Sequence, residues 1–165
     1  MSKAAKEYSP GTGVYRSSKK NALRLTRTEI NIAYKTADIE RWESMPFVVG
    51  YEIKRSNNPY PCKTCEALKG KYPKYFKFVG WHPQCLCSMT PILMTHQEML
   101  LLNKYTLQGK EIDWKSKNEV ETLPSNLLQW ISDNVNRISK AQSLPYFIRD
   151  NKNILSFTGF SFANT

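Results

Sequence analysis

The chain has 165 residues, enough for one domain with a real core, and carries 24 Lys and Arg against 14 Asp and Glu, a formal net charge of +10. That balance favours acidic partners, nucleic acid first, and an aromatic content of 12% argues against disorder over most of the length. No run of ~18 apolar residues occurs, which excludes a membrane-spanning helix.

Residues 1–16 lack periodicity and hold one Pro and two Gly, so they are expected to form a flexible lead-in. From about Ser18 to Met45 the pattern predicts the longest helix, capped by Ser17 or Ser18 and stopped by Pro46. Leu23, Ile30, Ala33, Tyr34 and Ala37 fall on one arc, while Leu25, Ile32 and Ile39 recur every seventh residue on nearly the opposite side. A helix apolar on two sides is expected to sit centrally, packed by its own domain and by something else. Lys20, Arg24 and Arg27 run between the two lines and read as a solvated face.

After Pro46, F-V-V-G-Y-E-I-K reads as a strand of β-branched and aromatic residues. Glu66 to Lys69 is expected to make one helical turn ended by Gly70, followed by an irregular or short extended Y-P-K-Y-F-K-F-V. Residues 86–92 are expected to return as a strand antiparallel to residues 48–54. Thr95-His96-Gln97-Glu98 is a capping-box sequence opening a short helix to about Lys104. Residues 105–122 read mostly as loop. Pro124-Ser125 then starts a helix with Leu127, Leu128, Ile131, Val135 and Ile138 at helical spacing. L-P-Y-F-I-R-D-N is expected to end the ordered part, and the tail 151–165, with three phenylalanines, to dock on a partner or continue into a longer protein. These elements predict an α+β fold: a long N-terminal helix packed on a small antiparallel sheet with a zinc knuckle, followed by C-terminal helices. The metal-bearing unit would span 17–93, with 94–150 a helical extension packed on the same core.

The densest chemistry lies between residues 62 and 87. All four cysteines and one of the two histidines fall there, in the pattern C-x2-C-x16-H-x2-C-x-C. Two short chelating pairs joined by such a spacer suit a tetrahedral zinc site. Cys62, Cys65, His82, Cys85 and Cys87 compete for four places. Spacing favours Cys62, Cys65, His82 and Cys85, but Cys87 would share a face with Cys85 on a strand and could replace His82. Ordinary buried thiols are the plainer reading, set aside because scattered cysteines rarely cluster this closely. A disulfide framework is disfavoured because the polar, Lys-rich N-terminus carries no secretory signal. The ligands outnumber the places and the only nearby carboxylate is Glu66, so the metal is expected to be structural rather than catalytic.

The segment between the two pairs also interleaves Lys63, Lys69, Lys71, Lys74 and Lys77 with Tyr72, Tyr75, Phe76, Phe78 and Trp81. Bases and stacking aromatics together suit DNA, which makes a zinc-stabilised nucleic-acid-binding module the alternative reading. The competing expectation, and the preferred one, is that the aromatics fill the core around the metal while the lysines stay wet. A metal-dependent nuclease or toxin would have to use Glu66 or His96 as base and is the remotest reading. Residues 94–165 show no glycine-rich phosphate loop, no nucleophile with a base and no spaced carboxylate pair.

The helix N-A-L-R-L-T-R-T-E-I-N-I-A-Y, the P-F-V-V-G-Y-E strand, C-x-x-C, L-K-G-K-Y-P and W-H-P-Q-C-L-C occur in that order. Over roughly residues 14–93 this resembles the phage Mu protein F-like family, the minor head or head-morphogenesis proteins of tailed phages and prophages. The most telling parts are R-L-T-R-T-E-I-N, beginning at Arg24, and H-P-Q-C-L-C. The resemblance implies that Arg27, Thr28, Glu29 and Asn31 belong to the family's helix motif and that Cys65, His82, Cys85 and Cys87 form its metal cluster. It thus prefers Cys87 where spacing prefers Cys62. It further implies a virion component present in few copies near the portal, assembled in the host bacterial cytoplasm and not secreted. Its partners would be portal or capsid proteins, with DNA as a further candidate, and no membrane or small-molecule substrate. Family proteins are usually longer at the N-terminus, so the chain is expected to be a fragment or an excised domain.

Overall fold

The computed structural model of the protein describes residues 17–59, 62–111 and 113–156. Helix α1 (Ser18–Glu43) opens them, its first turn closed by Ser17, whose hydroxyl accepts from the Lys20 amide at 3.2 Å. The expectations for residues 1–16 and for the tail phenylalanines lie outside the described residues.

The face that α1 buries is not the arc of Leu23, Ile30, Ala33, Tyr34 and Ala37. Leu23, Ile30 and Tyr34 are 45%, 50% and 72% exposed. The inward stripe is Thr28, Lys35 and Ile39, with Asn31, Ile32 and Trp42 half-buried beside it. The reason is what lies opposite. The middle of α1 packs on a loop of turns whose backbone groups lack sheet partners, and a polar stripe satisfies them where an apolar one would leave them orphaned. Only toward its C-terminus, at Ile39 and Trp42, does the helix meet an apolar core, with the Trp42 ring 5.9 Å from that of Tyr51.

Three antiparallel strands follow, β1 (Val48–Lys54), β2 (Gly70–Tyr72) and β3 (Ser88–Leu93), in the order β2-β1-β3. The return strand begins two residues later than expected and pairs Lys54 with Ser88 and Val48 with Leu93, with a bulge between Val48 and Gly50. Pro91 is tolerated because β3 is an edge strand whose outer side makes no ladder bonds. β1 is central and buried on both faces from Val48 to Tyr51. Gly50 permits this, since a Cβ there would come within 2.9 Å of Val120 and 3.0 Å of the Tyr72 carbonyl.

Short helix α2 (Lys63–Ala67) sits between β1 and β2, starting three residues before the turn expected at Glu66. Gly70 opens β2 instead of ending a helix; the C-cap is Leu68. The aromatic run folds inward: Tyr72, Phe76 and Phe78 are wholly buried and Trp81 nearly so, each ring within 4.6–6.4 Å of another. Burying each such ring is worth roughly 1.5–3 kcal/mol, which makes this run the centre of the core.

Helix α3 (His96–Leu107) has the capping box the sequence predicts but runs a turn further than Lys104. Helix α4 (Ser125–Ser139) buries Leu127, Ile131 and Ile138 and leaves Val135 exposed. The ordered chain then continues past the expected end at Asn151, through α5 (Tyr146–Arg149) and α6 (Lys152–Ser156), whose Phe147, Ile148 and Leu155 join the same core. The architecture is α+β, as the sequence implies.

Two polar clamps hold the later elements on. Asn151, buried between α5 and α6, accepts from the Lys77 amide at 2.8 Å and donates to the Lys77 carbonyl at 2.7 Å, imitating a strand partner. Asn151→Ala takes the side-chain partner from both Lys77 groups and is expected to cost about 0.5–1.5 kcal/mol per bond in chemical denaturation. Glu98 accepts from the Lys117 amide, the Ser116 hydroxyl and the Thr95 amide at 2.8, 2.7 and 2.9 Å. These bonds, the Lys117 amide foremost, draw its carboxyl below the ordinary 4.5 to about 2. A folded pKa below the unfolded one contributes stability above the unfolded value and loses it as pH falls through the folded value. Melting temperature is therefore expected to drop between pH 4.5 and pH 2, and Glu98→Gln to flatten that part of the profile.

Candidate metal centre

The five residues singled out by spacing converge from two separate stretches of chain. Cys62 and Cys65 come from the start of α2, in the β1–β2 connection, and His82, Cys85 and Cys87 from the β2–β3 connection. Cys62 is the N-cap of α2. Its sulfur accepts from the Cys65 amide at 3.5 Å, and the helical turn brings the Cys65 sulfur back alongside it. The second stretch is shaped by a tight turn. The Cys85 amide donates to the His82 carbonyl at 3.1 Å, Pro83 occupies the second position, and Gln84 takes a φ of 60° in the third. Proline then a left-handed residue is the signature of a type II turn, where Gly or Asn is usual in the third position. Gly80, at φ +148°, makes room just before it, since a Cβ there would lie 3.3 Å from that of Cys85.

The ligand atoms form two groups of three that share Cys65. In one, the His82 Nε2 lies 3.2 Å from the sulfurs of both Cys62 and Cys65. In the other, Cys65, Cys85 and Cys87 meet, with the Cys65 and Cys85 sulfurs 3.9 Å apart. Ligand atoms on a tetrahedral zinc with bonds of 2.1–2.3 Å stand roughly 3.4–3.8 Å apart, so these spacings suit a metal. The cluster could hold a metal ion. Cys65 is the residue shared by both groups, and with His82 and Cys85 it is common to the set favoured by spacing and the set implied by the resemblance.

The surroundings prepare the donors. The His82 Nδ1 lies 2.8 Å from the Pro83 carbonyl, which can only accept, so Nδ1 carries the proton and Nε2 is left with its lone pair toward the sulfurs. Burial alone would depress the His82 pKa; the Pro83 bond and the sulfurs of Cys85 and Cys62 outweigh it and raise the pKa. Among the thiols, contact with Cys65 and then Cys87, helped by the amides of Trp81 and Cys87, lowers Cys85 far below its ordinary value. Cys65, facing Cys85 and Cys87, is pushed up instead. Packed sulfurs cannot all ionise without a cation among them, and a metal would supply one.

Helix α1 holds the cysteine loop from behind. Thr28 accepts from the Gln84 amide at 3.1 Å, and Asn31 Nδ2 and Lys35 Nζ both reach the Cys85 carbonyl at 3.4 Å. Of the helix residues carried by the resemblance, Thr28 and Asn31 thus touch the loop, Arg24 is half-buried, and Arg27 and Glu29 are exposed. Lys35 was not among the residues read from the sequence. Its signal was the polar stripe Thr28–Asn31–Lys35, spaced by three and four residues along one helix face.

The other candidates are placed differently. Tyr72, Phe76, Phe78 and Trp81 are core, so of the five aromatics only Tyr75, 48% exposed, remains open for stacking. Lys74 donates to the Met45 carbonyl at 2.8 Å and Lys69 pairs with Glu66, while Lys63, Lys71 and Lys77 are exposed. Glu66, the nearest carboxylate in sequence, is engaged by Lys69 and lies 3.8 Å from Arg55. His96 sits exposed at the first turn of α3.

Gln84 offers a direct check on the turn that aims the second group. Gln84→Gly is expected to be neutral or to stabilise by up to about 1 kcal/mol, and Gln84→Val to cost about 1–2 kcal/mol, in denaturant melts of metal-loaded protein. Comparison with protein-family models, with curated proteins and with solved structures gave no match, so the reading of this centre rests on its own geometry.

Proposed function

We propose that the protein is a zinc-stapled structural component of a tailed-phage or prophage head, a minor head protein whose work is interaction rather than catalysis. The observation that carries the metal half is the convergence of four thiols and one imidazole from two connections of one sheet. Soft sulfur donors with an imidazole favour zinc among common metals, and more donors than coordination places favour a closed site. Zinc bound there would cross-link the two connections and hold the 82–87 loop against α1. Glu66, the carboxylate nearest the cysteines in sequence, is engaged by Lys69, and among the described residues the clusters hold only thiols and an imidazole, which favours a staple over a hydrolytic centre.

The phage half rests on the resemblance. Its two most telling motifs, around Arg24–Asn31 and His82–Cys87, meet through Thr28, Asn31 and Cys85, which supports treating them as one unit. The exposed arc of Leu23, Ile30 and Tyr34 on α1 offers a surface for a neighbour in the virion.

Protein purified without added metal is expected to contain one zinc per chain. Removing it with a chelator should collapse the fold, because structural zinc contributes on the order of 10 kcal/mol to small sites. A metal-free preparation with unchanged far-UV circular dichroism and melting would overturn the staple. Co-expression with the portal protein of the same genome tests the virion role; a chain that neither co-purifies with portal nor enters heads would remove it.

A further inference from the structure

Lys35 is a buried cation with no acidic partner among the described residues. It is 8% exposed, and none of the ion pairs among the described residues includes it. Its ammonium reaches the Cys85 carbonyl at 3.4 Å, lies 4.9 Å above the Phe78 ring, and stands 3.9 Å from where a Cβ on Gly80 would be. A carbonyl and a ring face are weak compensation for taking a charge out of water, and buried ammonium groups normally find an anion. Burial draws the Lys35 pKa down, and the sulfurs of Cys85, Cys87 and Cys65, in that order, act against it. These three form one of the two ligand groups.

Charge arithmetic points the same way. Three thiolates on a divalent ion leave one net negative charge, and four leave two. Burial of Cys65, Cys85 and Cys87, each 3–4% exposed, keeps water from screening that excess. A single fixed ammonium beside them offsets it. Asn31 reaches the same carbonyl but brings no charge, so the two residues differ in what they supply: Asn31 orients the loop, whereas Lys35 orients it and adds a cation.

We propose that Lys35 is the counter-cation of the metal–thiolate centre, a positioning residue on α1 that stabilises bound metal by balancing the charge of Cys65, Cys85 and Cys87. The inference rests on the metal reading above and goes beyond it in assigning a role to a residue that is not a ligand.

The test uses the full chain loaded with zinc. Lys35→Met keeps an unbranched side chain one atom shorter and removes the charge; it is expected to bind zinc yet lose it to a competing chelator about tenfold faster than the wild type or more. Lys35→Arg is expected to recover most of the difference, and Asn31→Ala to move the rate less than Lys35→Met does. With cobalt in place of zinc, the sulfur-to-metal charge-transfer band should shift in Lys35→Met and hold in Asn31→Ala. A second measurement needs no substitution: the Lys35 ammonium ¹⁵N signal should move when cadmium replaces zinc while that of exposed Lys104 stays. Release from Lys35→Met at the wild-type rate, Lys35→Arg as fast as Lys35→Met, or an ammonium signal indifferent to the metal would overturn the proposal. Wild-type protein that holds no metal at all would instead overturn the metal reading, so the two failures are distinguishable.

Discussion

The backbone from His82 to Cys87 is gripped from two sides, and the rest of the molecule depends on that grip. On one side its imidazole and thiols meet Cys62 and Cys65 from the opposite connection. On the other, its turn amide and the Cys85 carbonyl are taken by Thr28, Asn31 and Lys35 of α1. A loop of this kind, with a left-handed glutamine and few ladder bonds, has little reason of its own to stay folded. Its conformation is imposed by its partners, and it in turn fixes where the long helix lies.

The three-stranded sheet supplies the frame for this arrangement without being large enough to hold it. β2 is only three residues long, and its pairing ends at Tyr72. What continues the layer is side-chain packing: Tyr72, Phe76, Phe78 and Trp81 stack into one another, and Phe147 closes on Trp81 edge-on at 5.0 Å. The same residues therefore form both the wall beneath the cysteines and the platform for the C-terminal helices. The late helices are anchored by side chains standing in for missing backbone partners, as Asn151 does for Lys77.

The polarity of α1 follows from this division of labour. Where it faces loop it is polar and where it faces core it is apolar, and its most regular apolar arc is left to solvent. An apolar stripe on a helix is commonly its buried face, but that rule assumes that the opposing surface is hydrocarbon. Here the opposing surface is loop backbone without sheet partners, and hydrogen-bonding side chains make the better contact. The bases at Lys20 and Arg27 remain in water, as their spacing suggests.

Local pattern determined a good deal: the span of α1, the central strand, the capping box at Thr95, the start of α4 and the five candidate ligands follow from caps, alternation and cysteine spacing. Each is a property of a few neighbouring residues, and such properties survive folding because they depend on backbone geometry close at hand. Tertiary structure alone decided which side of α1 turns inward, which of the two sequence readings holds for the aromatics between the cysteine pairs, four of the five being core, and that Lys35 reaches the Cys85 carbonyl. These outcomes turn on what lies opposite a residue some 50 positions away, as Cys85 lies opposite Lys35. A one-dimensional pattern says how a segment is shaped, but the free energy of burying a charge or a ring is set by the neighbours that the whole chain brings to it.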